Sequence, residues 1–186
     1  MIPMKLTTQH EREMVSLHLC SLPPRDRHLR FGGMMSDQSI EQYVHHTWEG
    51  NNEWLGIVEG DKVIAAIHIA FDSETKAELG LSVDPLWRGK KLGQALFERA
   101  IVFLKARQVQ DVYMHCLSEN AAMRHIARKN EMHMESLDGE TDADLILKEA
   151  TPLDKYQEVL IENLAQYDNT MRSARNTWRE FLGFKK

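Results

Sequence analysis

The chain has 186 residues, 42 % hydrophobic and 27 % charged, with a net charge of −5. This is the composition of an ordinary globular protein, long enough for one domain with a full core and a small appendage. An acidic balance excludes a general nucleic-acid binder, because a phosphate backbone rewards clustered cations, and no apolar run reaches the roughly 18–20 residues that span a bilayer. The N-terminus lacks a basic-then-apolar leader pattern. Cys20 and Cys116 are too few for a disulfide framework and fall in apolar segments. These features predict a cytoplasmic protein with reduced thiols and with no membrane, nucleic-acid or metal partner.

Residues 2–7 suit a short first strand. Thr8 and Glu11 form a capping-box pattern opening a helix to about Leu19. Leu22-Pro23-Pro24 stops it, residues 25–31 read as irregular or a single turn, and Gly32-Gly33 is a joint. A second helix is expected from Asp37 to about Trp48, capped by Ser36. Trp54–Glu59 and Val63–Phe71 read as strands around the Gly60-Asp61 hairpin signal. Ala77–Val83 is a third strand, a central helix follows from Gly89 to about Arg107, and Val112–Leu117 is a fourth strand. A helix is expected from Asn120 to about Asn130, then strands at 132–137 and 143–148 around Asp138-Gly139. Residues 151–182 form one long helical pattern, capped by Thr151 and ended by Gly183. Its apolar stripe runs Leu153, Tyr156, Leu160, Leu164, Tyr167, Met171, Ala174, Trp178 and Phe181. The order predicts a mixed α/β (α+β) fold, with an antiparallel meander feeding a right-handed β-α-β crossover.

The most informative stretch is LSVDPLWRGKKLGQAL, from Leu81 to Leu96. An apolar strand stops at Pro85, and a basic, glycine-containing turn opens a helix. Such a turn combines unpaired N–H groups, the positive end of a helix dipole and three cationic side chains, and suits a diphosphate.

Residues 77–96 resemble the acetyl-CoA motif of the GNAT superfamily of N-acetyltransferases, R/Q-x-x-G-x-G/A. Arg88 takes its first position and Gly93 its last; Lys91 stands where the middle glycine is usual. Lysine is acceptable there if the residue only donates an N–H from a helical turn, and that reading is preferred. Val83-Asp84-Pro85, the pattern beginning at Asn120 and the element order extend the resemblance over residues 1–150. LPPRDRHLRF and NAAMRHIARKNEM also look like GNAT domains grouped with bacterial protein acetyltransferases. The resemblance implies a GNAT domain over residues 1–150 and a helical extension over residues 151–186. The domain would have a mixed, mostly antiparallel sheet with flanking helices.

The resemblance further implies acetyl-CoA as cofactor, with the strand at 77–83 splayed from that at 112–117. Leu81, Ser82 and Val83 would contact pantetheine, and an N–H near Leu81 would polarise the acetyl carbonyl. Arg88, Gly89, Lys90, Lys91, Leu92, Gly93 and Gln94 would wrap the diphosphate. Asn120 is either a helix cap, a pantetheine contact, or both. Glu78 is the candidate general base, since a lysine-type amine, with pKa about 10.4, is neutral in only about one molecule in 10³ at pH 7. Arg25, His28, Arg30 and Phe31 are candidates for the acceptor pocket. The tyrosine that many relatives use as acid falls here on Ala127; Tyr113, His115 or Cys116 would have to compensate. The expected function is transfer of an acetyl group to a primary amine of a small molecule or a protein. The alternative is a non-catalytic acyl-CoA-binding module. The tail helix would cover its stripe by folding back on the sheet, by pairing with a second copy, or by docking a partner.

Overall fold

The computed structural model describes residues 1–181. Thr8 caps α1 (Gln9–Cys20): its Oγ1 accepts from the Glu11 N–H at 3.2 Å, and the Glu11 carboxylate accepts from the Thr8 N–H at 2.7 Å. Residues 25–31 are not irregular. They form the eight-residue helix α2 (Pro24–Phe31), which Pro24 opens by fixing φ and Gly32 ends at φ 71°. Arg27 fastens this segment, donating to the carbonyls of Leu22, Met35 and Cys20. Helix α3 (Asp37–Glu49) carries the expected Ser36 cap.

The sheet has seven strands: β1 (Met4–Lys5), β2 (Asn52–Glu59), β3 (Lys62–Phe71), β4 (Lys76–Val83), β5 (Asp111–Leu117), β6 (His133–Leu137) and β7 (Glu140–Ile146). Their order is β1-β2-β3-β4-β5-β7-β6. The last hairpin therefore folds back so that β7, three residues earlier than expected, lies against β5. β1 is shorter than the 2–7 expected. Only β4 and β5 run parallel, joined by the crossover helix α4 (Leu92–Ala106). Helix α5 (Ala121–Lys129) links β5 to β6.

Alternation divides the apolar residues between two cores. Leu55, Ile67, Leu79, Leu81, Val112 and Met114 meet α4 and α5 on one face. Met14, Val15, Leu19, Ile40 and Val44 cover Trp54, Val63 and Ala66 on the other. On that second face α2 reaches as far as β5, and beyond it the side chains of β7 and β6 are largely open to water.

Helix α6 (Pro152–Phe181) packs beside α4 and along β1 and β2. Gly183, expected to end it, lies outside the described residues. Its contact is ionic. Buried Arg99 of α4 pairs with Glu158 and with Glu162 at 2.7 Å, Lys105 with Asp154 at 2.7 Å, and Arg172 with the Val58 carbonyl at 2.9 Å. Glu162 and Asp168 also accept from the N–H groups of Lys5 and Ile2, which covers the open edge of the sheet. Ala165 is the fully buried residue of this face. The apolar stripe does not fold back on the sheet: Leu153, Tyr156, Val159, Leu160, Leu164, Tyr167, Met171 and Trp178 are 45–72 % exposed.

Candidate active site

The parallel ladder between β4 and β5 holds for three pairs only, Lys76–Asp111, Ala77–Val112 and Glu78–Tyr113. Beyond Glu78 the strands part. The Asp84 N–H donates to the Ile64 carbonyl at 2.9 Å, and the register sets Val83 against Ala65. Hydrogen-bonded pairs alternate along an antiparallel ladder, so Glu78, Gly80 and Ser82 spend their backbone groups on β3. Leu79, Leu81 and Val83 turn theirs into the gap. The backbone groups of Leu81 and Val83 thus face the gap, whereas the backbone of Ser82 bonds β3 and its Oγ lies 2.9 Å from His18 Nε2. His18 is buried, and burial lowers its pKa to about 4.

The gap runs toward the N-terminus of α4. The helix begins at Leu92 rather than Gly89, and the loop before it has positive φ at Gly89 (74°) and Lys91 (61°). Lys91 is therefore left-handed, against the expectation of a helical turn, at a cost of roughly 1–2 kcal/mol. Such curls gather successive N–H groups around an anion. The amides of residues 89 to 94 have no acceptor among the described residues. Arg88 pairs with Asp26 of α2 at 2.6 Å and Lys90 lies over the Trp87 ring, while Gln94 reaches Asn130. The Leu92 side chain is buried in the core, leaving its amide for the site. A Cβ at Gly93 would fall 3.2 Å from Ile126 and 3.7 Å from Val83, so this glycine also lets α4 approach α5 and β4.

Asn120 caps α5, its Oδ1 accepting from Met123 N–H at 3.2 Å, and its Nδ2 donates to the Leu29 carbonyl at 3.3 Å. The cap is therefore present, and the amide keeps one N–H and one oxygen lone pair beyond these two bonds.

Helix α2 spans the gap on the Glu78 side. Arg30 lies over Gly80, where a Cβ would come within 2.5 Å of its guanidinium. Arg30 donates to Tyr43 Oη at 3.0 Å, Tyr43 Oη lies 2.8 Å from His68 Nδ1, and His68 Nε2 lies 2.9 Å from Asn52 Oδ1. Burial, helped by Arg30, lowers the His68 pKa to about 3. Phe31 packs edge-on against Tyr43. His28 faces Glu119 at 3.8 Å, and Arg25 is exposed. The four acceptor-pocket candidates thus divide: Arg30 and Phe31 join a network at β4, and the other two lie at the rim.

The Glu78 carboxylate is half-buried at the mouth of the gap and has no hydrogen-bond or ion-pair partner among the described residues. Tyr113 stands beside it on β5 and donates to Asp72 at 2.8 Å; burial and that bond raise its pKa. His115 follows on the same face, paired with Asp142 at 2.6 Å, which raises its pKa. The register continues this open face through Asp144, Asp142 and Glu135. Cys116 points into the opposite core, away from Glu78, and Ala127 is buried. Sequence reasoning missed Asp26, Tyr43 and Asn52. The bracket of Pro24 and Gly32 around residues 24–32 was the available signal for α2; the other partners are distant in sequence.

This geometry can hold an anion at one end of a gap, an extended amide chain along it and a basic group at the other. Solved structures share the fold. The GNAT domain of S. lividans PAT is 16 % identical with a TM-score of 0.67, covering 78 % of this chain and 89 % of that one. The spermidine N-acetyltransferase of Vibrio cholerae, solved with CoA and spermine, is 14 % identical with a TM-score of 0.62, covering 77 % and 94 %. The ribosomal-protein-S18-alanine N-acetyltransferase of Escherichia coli is 15 % identical with a TM-score of 0.61, covering 81 % and 97 %. No curated protein matches. The family described as Acetyltransferase (GNAT) matches residues 20–131, more than half of the sequence, and the chain belongs to that family.

Proposed function

We propose that the protein is an N-acetyltransferase that uses acetyl-CoA and acts on a cationic primary amine, with Glu78 as general base. The observation that carries this reading is a single gap with the unpaired amides of residues 89–94 at one end and the unpartnered Glu78 at the other. The residues present fit the cofactor. The amides of 89–94 and the α4 dipole hold a diphosphate, and Arg88 and Lys91 add charge. The backbone groups of Leu79, Leu81 and Val83 pair with pantetheine amides as a sheet edge pairs with an added strand. When bound, acetyl-CoA supplies an acyl group activated as a thioester.

Glu78 accepts the proton that an ammonium must lose before it can attack, and a positioned base contributes about 10²–10⁴-fold. The acceptor enters over the face that α1–α3 leave open. Asp142, Asp144 and Glu135 there attract a cation, and Arg30 at Gly80 limits the depth to which it passes.

Acetyl-CoA at about 100 times its dissociation constant should stabilise the fold by about 2.7 kcal/mol, a rise of roughly 5–11 °C in melting temperature. No rise sinks the cofactor reading. Thiol release with an amine panel tests the chemistry. Glu78→Gln should lower kcat by about 10²–10⁴-fold at pH 7 without changing cofactor affinity. Full activity of that variant on a lysine-type amine overturns the base assignment. Binding without turnover on any amine would leave an acyl-CoA-binding module.

A further inference from the structure

Helix α6 is amphipathic in an inverted sense. The face toward the domain is charged, with Asp154, Glu158, Glu162 and Arg172 bonded to the body around Ala165. The large apolar residues face the other way. Taking roughly 200 Å² for a large side chain, the eight that are 45–72 % exposed present on the order of 900 Å². A stable interface needs about 800 Å² from each partner. Solvation of the helix gives no reason for such a stripe, and the domain does not cover it.

We infer that this face pairs with the same face of a second copy of this chain, as an antiparallel two-helix seam. The reason for choosing a second copy is self-complementarity. The outward residues keep seven-residue steps: Leu153 to Leu160 to Tyr167 to Ala174, and Gln157 to Leu164 to Met171 to Trp178. A two-fold axis across the helix between residues 165 and 166 sets every member of one series against a member of the other. Leu164 meets Tyr167, Leu160 meets Met171, and Leu153 meets Trp178, so each bulky side chain faces a leucine. Gln157, the polar member, meets Ala174, the smallest. Opposed helix directions also cancel the two dipoles. The seam lies on the far side of α4 and β1 from Glu78, so both clefts stay open in the dimer.

Light scattering on the full chain should give twice the monomer mass of 21.6 kDa at micromolar concentration. Leu160→Glu with Leu164→Glu should give the single mass while keeping the folded circular-dichroism spectrum, and its melting temperature should lose the dependence on protein concentration that the dimer shows. In a background with Cys20→Ser, Leu160→Cys with Met171→Cys should cross-link into a covalent dimer under mild oxidation, and Leu160→Cys alone should not. The two positions lie about 16 Å apart along one helix, so the bond cannot close within a chain. A wild-type monomer at 100 µM overturns the inference, whether or not the face binds anionic vesicles. Cross-linking of the single variant overturns the antiparallel register.

Discussion

The two halves of α4 handle polar groups in opposite ways. At its N-terminus the loop from Gly89 to Gln94 carries amides with no acceptor among the described residues, and a lysine held at positive φ. Seven residues past the first turn's start, Arg99 is buried to 3 % of its side chain, and its charge is met by Glu158 and Glu162. A buried charge that the chain itself satisfies is a structural device. Backbone donors that it leaves unsatisfied, on a strained loop at the surface, are where a ligand completes the hydrogen bonding. On the proposed function, the same helix binds at one end and braces the tail at the other.

The largest effect should separate the two halves. Glu158→Gln with Glu162→Gln leaves Arg99 buried and uncompensated, and should lower stability by about 3–5 kcal/mol in a denaturant titration. The folded fraction should keep its acetyl-CoA affinity. Loss of affinity would mean that the halves are not independent. Gly93→Glu does the reverse, placing bulk 3.2 Å from Ile126 and a negative charge beside the proposed diphosphate site. It should weaken acetyl-CoA by at least about 100-fold, or about 2.7 kcal/mol, by calorimetry.

Acid sharpens the contrast. Burial holds His18 and His68 neutral, with pKa values of about 4 and about 3. The unfolded chain takes up these protons from pH 6.5 downward and the folded chain does not. Stability should therefore fall as pH drops from 6.5 toward 4, by up to about 1.4 kcal/mol per pH unit for each histidine. The Asp154 carboxyl is held at about 2 by Lys105 and Thr151, so its contribution survives until pH falls below 3.8 and through about 2. A melting-temperature profile should accordingly flatten in His68→Gln and not in Asp154→Asn. The smallest effect belongs to Lys91→Gly, which relieves the left-handed strain and should stabilise the free protein by about 1 kcal/mol. It should weaken acetyl-CoA several-fold through the lost cation; weakening without stabilisation would show that the loop is not strained.

Much of this site could be read along the chain. Capping residues, the Gly60 turn and the apolar period after Leu92 are local signals, and they located α1, α3, the hairpin and α4 to within a few residues. The alternation of β4 separated Glu78 from Leu79 and Leu81 before any packing was known. Other features depend on partners far away in sequence. The motif position of Lys91, where a glycine is usual, was the one signal of its positive φ, and the lysine side chain itself gives none. The partner of the Ser82 hydroxyl, His18, lies 64 residues earlier and could not be read locally. Residues 25–31 are too charged to display an apolar period, so their helix was legible only in the Pro24 and Gly32 bracket.

Sequence alone determined the fold class and the basic, glycine-containing turn that opens α4, because both follow from short-range periodicity and from residue types whose backbone preferences are intrinsic. Tertiary structure alone decided where β4 leaves β5, that α2 crosses the resulting gap, and which face of α6 meets the body. An apolar stripe states only that something must cover it; the carboxylates of α6 turned inward because Arg99 and the β1 amides, brought together by folding, needed acceptors there.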